Sequence, residues 1–144
     1  MYNKYNLDTN CTCGCIFYNP ISKKFLVVYE KYSRLYGFPK GKRKIFETHH
    51  DAGCREILEE LNLSVHELLK SKSIKFKSTY LHNFKNFALY LEFYEVLNMN
   101  SFRDICINQT ELIGVQWMEI NILSFLTKKN KTNSSIYLSI KNLY

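Results

Sequence analysis

Three glutamates crowd one side of a helix that the sequence predicts over residues 48–61. With Glu56 placed at 0° on a helical projection, Glu60 falls at about 40° and Glu59 at about −60°, so the three carboxylates share an arc of about 100°. Like charges at this spacing weaken a helix. Grouped carboxylates are typical ligands of a hard cation such as Mg²⁺ or Mn²⁺, and the alternative is an acidic face in solvent.

The sequence also predicts the ends and the far side of this helix. Thr48 precedes Asp51 by three residues, which indicates an N-terminal cap. Asn62 follows the last helical residue, and Asn is the second choice after Gly for the left-handed residue that ends a helix. His49 and His50, in the first turn, are expected at the surface. The side opposite the glutamates is apolar and is predicted to be buried; it carries Cys54, Ile57, Leu58 and Leu61.

The elements that must position this helix form a mixed pattern. Alternating and β-branched residues predict strands over 13–18, 25–29, 74–81, 87–96 and 115–118, with an extended piece at 36–39. Residues 40–46 are predicted as a basic loop and 98–111 as a polar one. Further helices are predicted over 64–70, 120–126 and 134–144. This mixture predicts a single α/β (α+β) domain over residues 1–144, with a flexible segment at 1–10 and C-terminal helices over 120–144.

The residues upstream of the helix follow a recognisable spacing. Five residues separate Gly41 from Glu47, and seven more lead to the run Arg-Glu-Ile-Leu-Glu-Glu over residues 55–60. This pattern resembles the signature of the Nudix hydrolases and departs from it at Asn62, where the signature has Gly. Because Asn tolerates the same left-handed conformation, we expect this departure to leave activity intact.

The Nudix resemblance implies a mixed β-sheet sandwiched between helices, with a loop–helix–loop that binds divalent cations, Mg²⁺ or Mn²⁺. It implies Glu56, Glu59 and Glu60 as metal ligands, which the backbone carbonyl of Gly41 often joins. Glu47 and Arg55 are implied as an ion pair that orients the helix. The implied reaction is hydrolysis of a nucleoside diphosphate linked to another group.

Segments on both sides of the motif resemble a narrower family, the catalytic subunit of the eukaryotic mRNA-decapping complex. Residues 36–42 match its Trp-Gly-Phe-Pro-Lys-Gly-Lys stretch except at Tyr36, and the Cys13-Gly14 pair is similar too. Glu111 stands six residues before Trp117, where that family has its proposed general base. The resemblance therefore implies Glu111 as a base on a flexible loop, and the alternative is a solvated charge. Trp117 itself is expected in the core.

The net charge is compatible with a polyanionic substrate. The 144 residues include 20 Lys and Arg against 13 Asp and Glu, a formal charge of +7. We expect RNA rather than DNA as the partner. The chain has neither a membrane-spanning apolar run nor a secretory signal, so a cytoplasmic location with no membrane association is expected. The residues predicted to contact phosphates are Lys40, Lys42, Arg43, Lys44, Lys128 and Lys129.

These resemblances lead to three functional hypotheses. The first is removal of the 5′ cap of mRNA, which yields 7-methylguanosine diphosphate and 5′-monophosphate RNA. Decapping subunits usually carry a helical regulatory domain ahead of the Nudix domain, and we expect a partner protein to replace it here. The alternative is a pyrophosphatase of dinucleoside polyphosphates, free nucleotides or diphosphoinositol phosphates. The third, a non-catalytic RNA-binding module, is disfavoured by the intact glutamates.

Cysteine usage predicts a reduced protein, since five cysteines occur without a secretory signal. Cys11, Cys13 and Cys15 alternate, which places them on one face if the segment is a strand. They form either a soft-metal site or a buried strand face. The sequence has no Cys-x-x-C motif or matching His/Cys pair downstream, and this favours the buried face.

Overall fold

A mixed β-sheet with helices on both faces makes up residues 7–143, the part of the chain that a computed structural model describes, with side chains described from residue 10. The strands in this range are β1 Leu7–Asn19, β2 Lys24–Glu30, β3 Tyr36–Gly37, β4 Lys40–Lys44, β5 Ile74–Phe84, β6 Phe87–Val96 and β7 Leu112–Glu119. The helices are α1 His49–Leu61, α2 Val65–Lys70, α3 Ile120–Lys128 and α4 Ser134–Tyr137, with 3₁₀ turns at Met99–Phe102 and Ile140–Asn142. The predicted fold class, with a mixed sheet between helices, is confirmed.

Strand β1 lies at the centre of the sheet, whose main strand order is β3-β2-β1-β6-β5. It pairs in parallel with β6 and antiparallel with β2. Strand β4 pairs with the first part of β1, and β7 pairs with β2, both antiparallel. The register places Cys13 of β1 opposite Gly41 of β4. The central strand therefore fixes the backbone that leads into α1.

Both faces of the central strands are buried because successive side chains point in opposite directions. Cys15 and Phe17 pack in a core shared with α1 and α2. Ile16 and Tyr18 pack in a second core shared with α3 and α4. Two-sided burial explains why β2 reads as the continuous apolar run FLVVY rather than as an alternating pattern.

The ends of α1 agree with the prediction. The Thr48 hydroxyl accepts a hydrogen bond from the Asp51 N–H at 3.1 Å and caps the N-terminus. Asn62 ends the helix in the left-handed conformation, with φ 56° and ψ 35°. Its N–H donates to the carbonyl of Leu58 at 3.0 Å. A side chain that tolerates positive φ is therefore needed at this position.

The buried side of α1 differs from the predicted one. Glu56 and Glu60 are buried together with Ile57 and Leu61, whereas Leu58 is 51% exposed. The prediction that Leu58 is buried is therefore wrong. The buried residues centre at about 70° on the helical projection, so α1 lies on the sheet along the boundary between its acidic and apolar sides. This orientation carries two carboxylates below the surface.

Three other segments differ from their sequence-based descriptions. The predicted loop over 40–46 contains β4, because its backbone pairs with β1. Residues 7–10, predicted as part of a flexible segment, begin β1, and residues 1–6 lie outside the described part of the chain. The helix predicted over 134–144 is instead α4 followed by a 3₁₀ turn. There the Ser139 hydroxyl donates to the carbonyl of Ser135 at 2.6 Å, which competes with continued helix.

The alternating cysteines form a buried strand face. Cys11, Cys13 and Cys15 are all buried, and the Sγ atoms of Cys11 and Cys13 lie 3.7 Å apart. Burial raises the pKa of Cys13 and Cys15, so both thiols keep their protons at neutral pH. Cys11 and Cys13 pack against Ala52 of α1. The favoured interpretation of this segment is thus confirmed.

No helix within residues 7–143 combines the length and the apolar character that crossing a bilayer requires.

Candidate active site

An open cleft of about 630 Å³ lies beside β4, α1 and the loop before β7. The glutamates implied as metal ligands or as the base all line it: Glu56, Glu59 and Glu60 from α1, and Glu111 from the loop. Gly41 and Arg55 line it as well. Gly41 and Glu111, 70 positions apart in the chain, thus meet in one cleft, which concentrates negative charge there.

The guanidinium of Arg55 ties the motif together. Its Nε and Nη2 donate to the two carboxylate oxygens of Glu47 at 2.7 and 3.0 Å. Its Nη1 donates to Glu56 at 2.8 Å and to Glu59 at 3.2 Å, and Nη2 also donates to the Lys42 carbonyl at 2.8 Å. The hydrogen bonds from Arg55 lower the pKa of Glu47. The planar guanidinium of Arg55 therefore positions both the loop and helix α1. The ammonium of a lysine, a single point of charge, cannot do this.

Gly41 allows the Glu56 carboxyl group to lie against the β4 backbone. A Cβ at residue 41 would overlap that carboxyl group. Glu60 lies on the same backbone, because its Oε1 accepts a hydrogen bond from the Lys40 N–H at 3.3 Å. The motif spacing from Gly41 to the helix thus corresponds to direct contact between β4 and two carboxylates.

Two of the glutamates are unusually weak acids. Burial raises the pKa of Glu56 to about 7, with Arg55 acting in the opposite direction and Glu59 adding to the rise. Burial also raises the pKa of Glu60 to about 8, against the effect of Lys40. Both carboxylates thus have less positive charge around them than their burial requires. An all-oxygen set of this kind fits Mg²⁺ or Mn²⁺, which would supply that charge.

Glu111 enters the cleft on a loop that is hydrogen-bonded to α1. Its side chain is exposed, and its charge raises the pKa of both Glu56 and Glu60. Its N–H donates to the carbonyl of Asn108 at 3.1 Å, and the Asn108 N–H donates to the carbonyl of Glu60 at 2.9 Å. A solvent-accessible carboxylate therefore shares the cleft with the buried pair, and its role as a general base stays a prediction.

Glu30 belongs to the cleft and is absent from the sequence-based assignment. It ends β2 and accepts hydrogen bonds from Lys40 Nζ at 2.9 Å, Asn133 Nδ2 at 3.0 Å and Ser33 Oγ at 2.8 Å. Burial alone would raise its pKa, but Lys40 and these hydrogen bonds lower it. Its signal in the sequence is a lone acid at the end of an apolar strand, and nothing in the spacing connects it to Glu60.

The basic residues near the motif divide into two kinds. Lys40, Lys42 and Lys44 line the cleft. Arg43 instead donates from Nη1 to the carbonyls of residues 45 and 47, at 3.2 and 2.8 Å. Its guanidinium therefore supports the loop, and a contact between Arg43 and phosphates stays a prediction.

Two other predicted features lie outside the cleft. Lys128 and Lys129 are at the C-terminal end of α3, and neither is among the described residues that line the cleft. The Lys129 ammonium instead lies 5.6 Å from the centre of the Phe125 ring. Trp117 is partly buried and packs edge-on against Phe102 at 5.7 Å between ring centres, so it belongs to the core as expected.

Comparison with known proteins identifies the fold. The NUDIX domain model matches residues 11–139. No curated protein matches the sequence significantly. A crystal structure of Ap4A hydrolase from C. elegans in a binary complex is 17% identical, covers 76% of this chain and 80% of its own, and has a TM-score of 0.62. A protein from Deinococcus radiodurans is 14% identical, with coverage of 100% and 88% and a TM-score of 0.71.

A third structure is the bifunctional NMN adenylyltransferase/ADP ribose pyrophosphatase of Francisella tularensis, in complex with AMP and a manganese ion. It is 16% identical, covers 84% of this chain and 42% of its own, and has a TM-score of 0.63. At these identities the structures show a shared fold, and the likeness to decapping subunits stays a prediction. Because the family model spans most of the described residues, the chain belongs to the Nudix domain family, whose pyrophosphohydrolases generally use divalent metals such as Mg²⁺ or Mn²⁺.

Proposed function

We propose that this protein hydrolyses a phosphoanhydride bond in a dinucleoside polyphosphate or a related free nucleotide. The observation that carries the proposal is the meeting of Glu56, Glu59, Glu60 and Glu111 in one open cleft, with Arg55 holding two of them. An Ap4A hydrolase and an ADP ribose pyrophosphatase are among the proteins with the same fold. Both names denote substrates in which linked phosphates are attached to one or two nucleosides.

Each cleft residue has a role in this proposal. Glu56, Glu59 and Glu60 would hold the divalent cation, with the Gly41 backbone beside them. When bound, such a cation neutralises phosphate oxygens and lowers the pKa of water. Glu111 is the candidate general base, because it is exposed and shares the cleft with the buried pair.

The rim of the cleft offers contacts for the rest of a nucleotide. Lys42 and Lys44 line it and supply positive charge for a phosphate chain. Tyr32 also lines it and is 82% exposed, so its ring is open to a stacking base. A linked polyphosphate with a nucleoside at its end would use both kinds of contact.

Capped RNA is a second candidate substrate, and the matched stretch at residues 36–42 together with Glu111 six residues before Trp117 favours it. The cap is itself a dinucleoside polyphosphate, so the same cleft chemistry applies. Lys128 and Lys129 would then contact a longer RNA outside the cleft. Cleavage of capped RNA in preference to the free dinucleotide would support this candidate.

The test compares three substrates with purified protein and Mg²⁺ or Mn²⁺: a dinucleoside polyphosphate, a free cap dinucleotide and capped RNA. Chromatography of the products gives kcat/KM for each. Glu60→Gln should abolish turnover yet retain substrate binding, and Glu111→Gln should lower kcat by about 10²- to 10⁴-fold. Glu67→Gln is the matched control, since Glu67 is an exposed glutamate on the neighbouring helix α2.

Two results would contradict the proposal. One is unchanged turnover in Glu60→Gln, which would remove the ligand assignment. The other is RNA binding without hydrolysis of any of the three substrates by wild-type protein, which would favour the non-catalytic module.

A further inference from the structure

Two histidines and a cysteine form a cluster at the junction of α1 and α2, apart from the residues that line the cleft. His50 and Cys54 are one turn apart on α1, and His66 is the second residue of α2. One ligand atom from each of the three side chains lies within 4.8 Å of the others. Imidazole and thiolate are the ligand types that Zn²⁺ prefers, whereas Mg²⁺ prefers oxygen.

The two ligands on α1 already have the spacing of a zinc site. His50 Nε2 lies 3.5 Å from Cys54 Sγ. A tetrahedral zinc ion with bonds of about 2.3 Å to sulfur and about 2.0–2.1 Å to nitrogen holds these atoms about 3.6 Å apart. The separation of these two atoms therefore matches that of two zinc ligands.

A buried carboxylate fixes the orientation of the His50 ring. His50 Nδ1 lies 2.7 Å from Glu92 Oε1, and since a carboxylate can only accept, Nδ1 carries the hydrogen. This hydrogen bond occupies Nδ1 and leaves Nε2, 3.5 Å from Cys54 Sγ, as the ring nitrogen available to bind an ion. Glu92 is 5% exposed and is itself held by the hydroxyls of Tyr90 and Tyr94, each at 2.9 Å. A carboxylate behind a ligating histidine is the usual support of zinc ligands.

The third ligand approaches from a firmly anchored helix. Val65 and Leu68 are buried in the core beneath α2, which fixes the helix backbone. His66 between them is exposed, and its ring centre lies 5.7 Å from that of His50. The site is thus open to solvent on the His66 side, which leaves a path for an ion and room for water as a fourth ligand.

We propose that His50, Cys54 and His66 form a zinc-binding site that joins α1 to α2, with water at the fourth position. Coordination replaces the thiol proton of Cys54 and releases it to solvent. Because the ligands come from two helices, a bound ion cross-links the helix that carries the cleft glutamates to its neighbour. The site is separate from the cleft in both position and ligand chemistry.

Cobalt(II) is the spectroscopic probe for this site. Reduced protein is titrated with Co²⁺ in excess Mg²⁺, which occupies oxygen ligands. The expected result is one equivalent of Co²⁺ with a thiolate-to-cobalt charge-transfer band and tetrahedral visible bands, both lost on addition of Zn²⁺. Cys54→Ser should lose the charge-transfer band. His66→Gln should lose the saturation of that band at one equivalent. Glu92→Gln should weaken Co²⁺ binding by about 10- to 100-fold.

Matched variants separate this site from others in the chain. His49→Gln and Cys106→Ser alter an exposed histidine and an exposed cysteine and should leave the titration unchanged. Glu60→Gln should also keep the charge-transfer band. Absence of the band in folded wild-type protein, or a His66→Gln titration identical to wild type, would overturn the proposal. His66 is exposed, so this variant tests the site even if Cys54→Ser fails to fold. The readout is metal binding, so it is independent of hydrolysis.

Discussion

Binding of a divalent cation in the cleft should release protons in a number that depends on pH. Burial raises the pKa of Glu56 to about 7 and that of Glu60 to about 8, from an ordinary value of 4.5. A cation needs both carboxylates ionised and must displace whatever protons they hold. From these pKa values the pair holds about 1.9 protons at pH 6, about 1.0 at pH 7.5 and about 0.1 at pH 9. The number of protons released on saturation with Mn²⁺ should decrease with rising pH in the same way.

Calorimetry measures this release directly. Titration of the protein with Mn²⁺ in buffers of different ionisation enthalpy gives the number of protons released per ion bound. Glu60→Gln removes the group with the higher pKa, so its release at pH 7.5 should drop to about a quarter of a proton. An equal release by wild-type protein at pH 6 and pH 9, or by wild type and Glu60→Gln at pH 7.5, would refute the assignment of these carboxylates as ligands.

Three further predictions concern stability and geometry. Without divalent cations, the melting temperature should fall as pH rises from about 4.5 through 8, because the folded-state pKa values of Glu56 and Glu60 lie above their unfolded values. Melting curves over a pH series with and without Mg²⁺ test this, and Mg²⁺ should reduce the fall in melting temperature. Gly41→Ala should lower kcat/KM by about 100-fold while circular dichroism stays unchanged, since its Cβ displaces the Glu56 carboxyl group; unaltered kinetics would contradict this. Asn62→Ala should cost about 1 kcal/mol in the free energy of unfolding, and Asn62→Gly should cost nothing, because residue 62 has positive φ; urea melts of the two variants should therefore separate.

Local patterns in the sequence predict much of α1 and its surroundings. The cap at Thr48 and the left-handed end at Asn62 depend on residues within one turn of each helix end, so short-range chemistry suffices. The cleft that Arg55 shares with the glutamates of α1, and the pairing of Arg55 with Glu47, follow from the spacing of a family motif. The buried face of the alternating cysteines follows from the period of a strand.

The remaining features depend on contacts between distant segments. Glu30 joins the cleft through contacts with Lys40 and Asn133. Asn133 lies 103 positions after Glu30 in the chain. The exposure of Leu58 depends on how α1 is turned against the sheet, and the helix pattern alone does not specify this rotation. His66 shows no signal in the sequence, since its proximity to His50 and Cys54 exists only once α2 folds back on α1.

The parallel pairing of β1 with β6 has a consequence for how the molecule folds. Residues 11–18 pair with residues 88–95, so the central pair of the sheet forms only after a long loop has closed. Loop closure of this kind opposes folding before any contact compensates for it, and proteins rich in distant contacts fold slowly. The support beneath α1 is therefore incomplete until residue 95 has been synthesised, and a chain stalled before that point exposes the apolar central strand to aggregation.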